Sequence, residues 1–328
     1  MRNQEEKTRK QKVERLSWIV ALAGLLTIPL VSPLVDPYSL HIIIIIEMNV
    51  ILALALNVIM GYVGMLSLAH ATFFGVGAYA SAILSVRYGA PYLLTLPGSA
   101  LFAAAIAYLI GIPALKLSRH SFGIVTFGFS GIAFLLVQNL SSLTNGVFGI
   151  GNIPSPAFIN VVVTSKGAFW FLISAILLGS LFFFRLVTMS RIGRIWTSIR
   201  GDELLAESQG IDTAKYKLMA FVISAAFAGV VGNFYAYYVT YVSPANLLFD
   251  YTLAPMVMVL VGGGGHLLGV GIAAVVLTAV PEFLRVAGPV RDLSYGLVLA
   301  FTITFLPQGF WGLSKKIWPR RNRRIVVT

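Results

Sequence analysis

The chain has 328 residues, of which 58% are hydrophobic and 11% charged, with a formal net charge of +12. A charged share so far below the roughly 25% of soluble domains excludes an ordinary soluble protein and points to a polytopic membrane protein. The absence of cysteine excludes disulfides and thiolate metal sites. The basic residues lie at the ends and between apolar runs, where anionic lipid headgroups rather than nucleic acid would meet them.

Residues 1–16 are a polar tail carrying Arg2, Lys7, Arg9, Lys10, Lys12 and Arg15. No cleavable signal peptide is expected, because the apolar run after this tail lacks a small-residue cleavage site. Apolar runs then predict an all-α fold of about ten transmembrane helices, at 17–35, 41–60, 65–86, 92–115, 121–143, 167–187, 218–242, 251–261, 267–286 and 293–312. Together, 17–312 form the membrane domain, with a polar loop at 188–217 and a basic C-terminal tail at 313–328. The eighth run is shorter than the ~20 residues needed to cross a bilayer. It is a half-helix, a re-entrant piece, or a span that begins further back.

With ten spans both tails share a side. All Lys and Arg except Arg87, Lys166, Arg285 and Arg291 then fall on that side, which the positive-inside rule makes cytoplasmic.

Residues 191–217 are the only long polar segment between the tails. Ile192, Ile195, Trp196 and Ile199 recur at i, i+3, i+4 and i+7, one face of a helix. With Arg191 and Arg194 beside that face and Arg200 after it, the pattern suits a helix at headgroup level. Gly201 interrupts it. Asp202 and Glu203 open a second short helix, where acidic groups favour the N-terminal dipole end. Leu204, Leu205 and Ala206 continue it, and Gly210 is placed to end it in a left-handed conformation. Such a segment either docks a soluble partner or is a solvated basic loop.

No Gly-Lys dipeptide occurs, hence no P-loop. The histidines His41, His70, His120 and His266 show no metal-ligand spacing, and Ser190 and Ser198 have no catalytic constellation. No enzymatic activity, cofactor or metal is expected.

Polar groups within the spans remain. Glu47, with Asn49 and Asn57 near it, would cost about 2.5–3.5 kcal/mol at mid-bilayer, so it faces a water-filled path, pairs with a helix or snorkels. Glu282 has Arg285 at i+3, as for an ion pair. Ser67 and His70 sit one turn apart, placed to contact a solute or to cap a broken helix. Glycines gather at Gly61, Gly64, Gly75 and Gly77, at Gly229 and Gly232, and from Gly262 to Gly271; they permit tight packing or broken helices along a path. Residues 57–78 laid on 233–254 match at Asn57/Asn233, Tyr62/Tyr238, Val63/Val239, Ser67/Ser243, Ala69/Ala245, Phe73/Phe249 and Ala78/Ala254. An inverted repeat of five spans would produce this. It brings Asn233 and Ser243 into the candidate pathway set with Glu47, Asn57, Ser67 and His70.

The segment GYVGMLSLAHATFFGVGAY at 61–79 resembles the branched-chain amino acid ABC transporter permeases. So do RIGR at 191–194, ELLAESQGI at 203–211, YKLMAFVIS at 216–224, Val242-Ser243-Pro244, the glycine run at 262–265 and Pro307-Gln308-Gly309. The resemblance covers roughly residues 48–312. It departs from the family pattern at Ala69, His266, Val270 and Gly201, and at Thr144-Asn145-Gly146, where a second glycine is common. The resemblance implies a permease of an ATP-binding-cassette importer. Residues 202–210 would be its coupling helix, with Arg200, Asp202, Glu203, Ala206, Glu207 and Gly210 at the ATPase contact. It also implies a second homologous permease subunit, two ATP-binding subunits and an extracytoplasmic solute-binding protein, in a bacterial or archaeal plasma membrane. The solute would be a branched-chain or related amino acid, urea or a short amide. A secondary transporter driven by protons or sodium through Glu47, and a membrane-bound scaffold or sensor, are the readings from other classes.

Overall fold

The computed structural model describes residue 27 and residues 31–158 and 161–283. Both predicted tails, most of the first predicted span and all of the tenth, with Arg285 and Arg291, lie outside these. The chain is largely helical, and six described helices are long and apolar enough to cross a membrane: Pro37–Val63, Tyr92–Ala114, Ser121–Asn139, Lys166–Met189, Thr213–Val239 and Pro244–Gly262.

Helix α1 (Pro37–Asn57) starts with proline in its first turn and Asp36 as its N-cap. Proline fits there because no intrahelical partner awaits its missing N–H. The Ser39 hydroxyl and N–H hold the Asp36 carboxyl below the usual carboxylate range. α1 widens into a π-helical turn, Val58–Val63, and stops at Gly64, whose φ is 82°. Helix α2 (His70–Tyr88) follows. It begins later than the apolar run predicts, because Gly64–Ala69 is not helical. The backbone of that stretch is satisfied by side chains: Leu68 N donates to Thr126 Oγ1 (3.1 Å), and Leu68 O accepts from Ser130 Oγ (3.3 Å) and Thr252 Oγ1 (3.4 Å). Inside a membrane an unwound backbone survives only with such partners.

Helices α3 (Tyr92–Ala114), α4 (Arg119–Asn139) and α5 (Lys166–Met189) follow, then α6 (Arg191–Gly201) and α7 (Glu203–Ser208) in the polar stretch, and α8 (Thr213–Val239). α9 (Asp250–Gly262) has only 13 residues. A 3-10 turn at Pro244–Leu247 precedes it, so the eighth predicted span begins further back, and Pro244–Gly262 is an apolar stretch of 19 residues. α10 (Leu267–Phe283) is the last among the described residues.

The loop between α4 and α5 and the end of α8 carry short strands that the all-helical expectation did not include. β1 (Ile150–Gly151) pairs antiparallel with β4 (Tyr241–Val242), and β2 (Ala157–Phe158) with β3 (Val161–Val162). The first pairing ties the loop before α5 to the end of α8.

The core lies among α2, α3 and α8. A Cβ on Gly229 would stand 2.7 Å from Ala103 Cβ and 2.8 Å from Ser99 O, and one on Gly77 would strike the Gly229 backbone. Of the two roles open to these glycines, close helix approach is the one observed. Asn233 Nδ2 donates to Ser81 Oγ (2.8 Å), Thr95 Oγ1 (3.2 Å) and Ser99 Oγ (3.3 Å), so one buried amide ties three helices. α2 misses the apolarity of a lipid-facing span because this packing surrounds it: His70, Thr72, Ser81 and Ser85 are all buried.

The displacement that lays Val63 on Val239 also aligns structural landmarks. Each of these valines ends a helical run, and the next residues, Gly64 and Thr240, are both left-handed (φ 82° and 60°). The same shift lays Gly89 on Gly265, and both again have positive φ.

Candidate functional site

One end of the helix bundle, here the polar end, gathers the π turn of α1, the α3–α4 corner, α6, α7, the start of α8 and the glycine run between α9 and α10. α6 forms as the spacing predicts, but its apolar stripe does not lie among headgroups. Trp196 and Ile199 are buried, and Trp196 Nε1 donates to Tyr216 O at 2.9 Å. A stripe with i, i+3, i+4 spacing specifies a buried face without saying whether lipid or protein buries it, and here the start of α8 does.

α7 is the short helix expected after Gly201. Asp202 is its N-cap, accepting from Leu205 N at 3.0 Å. Gly210, at φ 79°, stands just beyond its end with no heavy atom near its Cβ position. The acidic residues serve this chain itself. Glu203 pairs with the buried Lys217. Thr213 Oγ1 donates to Glu207 Oε1 (2.6 Å) and to Glu203 Oε1 (3.3 Å). Ala206 is buried beneath them. Beside the exposed Glu207 and Ser208, α7 presents outward Leu204, 77% exposed, and Leu205, 60% exposed. Two adjacent leucines in the one long polar stretch were the available signal, and attention to the acids passed over it.

Arg200 is exposed as a residue, yet its guanidinium reaches back onto the chain. Its Nη1 donates to Gly61 O and to Gly264 O (2.8 Å). Arg119 holds the end of α6 by donating from Nη2 to Ile199 O (2.7 Å) and from Nη1 to Arg200 O (3.2 Å). Carbonyls at a helix C-terminus have no intrahelical partner, and a guanidinium suits them in both hydrogen bonding and charge.

The six candidate pathway residues are dispersed. Glu47 faces α5, accepting from Trp170 Nε1 (3.1 Å) and Ser174 Oγ (2.8 and 2.9 Å), so of the roles weighed it performs helix pairing. Asn57 Oδ1 accepts from Gly265 N (2.9 Å) at the polar end. Ser67 is buried in the non-helical stretch, and α2 has Ala69 as N-cap with no side-chain cap, so the capping expected of Ser67 and His70 is not made. Asn233 belongs to the core network described above. Ser243 N donates to Asn246 Oδ1 (2.9 Å) in the turn before α9. Glu282 accepts from Tyr38 Oη at 2.6 Å; its predicted partner Arg285 lies outside the described residues.

Of the six, His70 lines a cavity, about 230 Å³ in volume, with Asn49, Leu52, Ala71, Phe74, Asp250, Tyr251 and Ala254. α1, α2 and α9 wall it, and both α2 and α9 begin there. Ala71 N donates to Thr252 Oγ1 (2.9 Å) across the two helix starts, and His70 Nε2 lies 3.1 Å from Leu52 O. Asp250 escaped the sequence reading, which began the eighth span one residue later. Among the described residues, no three His, Asp or Glu side chains group as metal ligands.

Comparison with known proteins follows this geometry. The family described as "Branched-chain amino acid transport system / permease component" matches residues 38–306. The high-affinity branched-chain amino acid transport system permease protein LivM of Salmonella typhimurium is 31% identical over 318 residues, 90% of this chain and 75% of the relative. LivM of Escherichia coli is 32% identical over 289 residues, 81% of this chain and 68% of the relative. A second permease protein of that transport system, LivH of Salmonella typhimurium, is 24% identical over 286 residues, 80% of this chain and 90% of the relative. No solved structure matches the chain.

Proposed function

The chain belongs to the branched-chain amino acid transport permease family, and we propose that within it the chain is one permease subunit of an ATP-binding-cassette importer, forming half of the translocation pathway for branched-chain or related amino acids. The observation that carries this reading is α7. Its acids and Ala206 are fastened to α8, and its two leucines stand in the open on the polar end. Exposed leucines on lipid-facing helices need no partner. A pair on a polar loop, held rigid by a cap, an ion pair and a hydroxyl, fits a cleft on a soluble subunit. In this reading the partners are a second homologous permease, two ATP-binding subunits that carry the hydrolysis, and a solute-binding protein outside. The likeness to both LivM and LivH supports a paired permease. The polar end is cytoplasmic, both termini lie on that side, and the two halves related by the common displacement form an inverted repeat. The cavity at the starts of α2 and α9 is then this chain's share of the path.

ATP-driven closure of the soluble subunits pushes on residues 202–210 and rocks the cavity walls between inward and outward openings. Replacing Leu204 or Leu205 with Arg tests this in membrane vesicles containing all the subunits. Uptake driven by ATP falls at least tenfold while the chain stays folded in the membrane. Normal uptake by both variants contradicts the reading. Bulky replacements at Gly210 have the same expected outcome.

A further inference from the structure

Beyond tight packing and broken helices, the structure gives Gly61, Gly64 and Gly265 a third setting, around Arg200. Its guanidinium lies in a bed of backbone. A Cβ on Gly265 would stand 2.8 Å from Arg200 Nη1 and 3.1 Å from Gly61 O. One on Gly64 would stand 3.0 Å from Arg200 Cγ, and one on Gly61 2.5 Å from Gly265 N. Gly265 also has φ 89°, a conformation other residues rarely adopt. Side chains at 64 and 265 would crowd the space the arginine occupies, and one at 61 would strike the Asn57 side chain and the Gly265 backbone.

The two carbonyls that Arg200 grips belong to different parts of the fold. Gly61 ends α1, which contributes Asn49 and Leu52 to the cavity and leads through residues 64–69 to His70. Gly264 follows α9, which contributes Asp250, Tyr251 and Ala254. All three cavity walls therefore run directly to Arg200. On the other side Arg200 is the penultimate residue of α6, and α7 begins three residues later. Arg119 clamps that backbone from the α3–α4 corner.

One polar group at the joint lacks a partner. Gly265 N is held by Asn57 Oδ1 at 2.9 Å, but Asn57 Nδ2 is buried with no partner. A buried donor without an acceptor is costly, and a shift of the junction toward a neighbouring carbonyl would relieve it.

We propose that Arg200 is a positioning residue that transmits movement of α7 to the cavity, by gripping the ends of α1 and α9 together through Gly61 and Gly264. The resemblance implied that Arg200 meets the ATPase; in this reading its guanidinium acts through the two carbonyls of its own chain that it holds. The fork matters as well as the charge, because a planar guanidinium serves two fixed acceptors where an ammonium is a point charge. This inference rests on the importer reading above.

The absence of native cysteine makes the test direct. Ala254→Cys places a single thiol in the cavity wall, and its rate of labelling by a maleimide is measured in the full assembled complex with and without ATP and vanadate. In the parent carrying Arg200 the rate changes several-fold on adding nucleotide. With Arg200→Gln the complex still assembles and hydrolyses ATP, and labelling no longer responds. Arg200→Lys restores only part of the response. Gly265→Ala, which keeps the arginine but occupies its bed, behaves like Arg200→Gln. A full response in Arg200→Gln overturns the proposal. So does full rescue by Lys, which would leave only charge at work, or dissociation of the complex in all three variants, which would leave only assembly. A parent whose labelling ignores ATP removes the importer reading itself, and is distinguished from these because it fails before any substitution at Arg200.

Discussion

Where α2, α3 and α8 cross, Gly77, Gly229 and Gly232 meet other backbone; at the polar end Gly64 and Gly265 meet an arginine. In the first region Gly77 lies against Gly229, and Gly229 lies against Ser99 and Ala103. The contact is shape against shape, with no charge, and a buried Asn233 amide ties three hydroxyls across it. In the second region Gly61, Gly64 and Gly265 surround the Arg200 side chain, and a few directional hydrogen bonds hold the parts together. Close-packed interiors resist gradual deformation. A joint of charged hydrogen bonds can let go and reform elsewhere. One sequence feature, glycine in an apolar chain, thus builds both the close-packed part of the molecule and the joint proposed to move.

The comparison can be broken by adding side chains to one region and then the other. The largest effect is expected at Gly229→Leu, which forces three helices apart. Overpacking a filled core costs about 1–3 kcal/mol and sometimes more, so this variant should fail to give monodisperse protein in detergent. A normal yield and melting temperature would show that the α2–α3–α8 contact is looser than described. Next comes Asn233→Ala. Membrane hydrogen bonds contribute about 0.6 kcal/mol on average and up to about 1.7, and three hydroxyls lose a donor here, so a loss of about 1–2 kcal/mol is expected in thermal unfolding. Glu47→Gln should be milder, below about 1 kcal/mol, because a carboxamide still accepts from Trp170 and Ser174. Its uptake should stay near that of the parent. The smallest effect is at Gly201→Ala in α6, where no heavy atom lies within 4 Å of the Cβ position. Alanine in a helix is better than glycine by roughly 0.5–1 kcal/mol, so this change should stabilise slightly. An added side chain thus has opposite signs at Gly201 and Gly229.

Much of the fold could be read from the residues. Apolar runs placed α3 and α5 within a residue or two, because lipid-facing helices must be apolar for their whole length. α7, its Asp202 cap and the left-handed Gly210 followed from local chain chemistry that tertiary contacts did not override. The start of α2 was misplaced because Met65, Leu66 and Leu68 are apolar without being helical; hydroxyls from α4 and α9 satisfy that backbone, and no local pattern reports on them. The stripe on α6 was assigned to headgroups when Tyr216 O and the start of α8 cover it. The candidate site was the least legible part. Polar side chains within spans were gathered into one path, yet Glu47 pairs with α5, Asn57 with Gly265 and Asn233 with α2 and α3. In a medium without water each polar group seeks any partner on a neighbouring helix, so polarity alone does not identify a path. His70 reached the cavity and Asp250 was missed because both sit where helices begin inside the fold, which only the packing reveals.

The most direct test of the account is uptake of labelled leucine into vesicles that contain this chain, its partner permease, the ATP-binding subunits and the binding protein. The account predicts accumulation only with ATP on the side of α7, no accumulation from a proton or sodium gradient alone, and the same ATP-dependent rate with Glu47→Gln. Gradient-driven uptake without ATP that Glu47→Gln abolishes would contradict it.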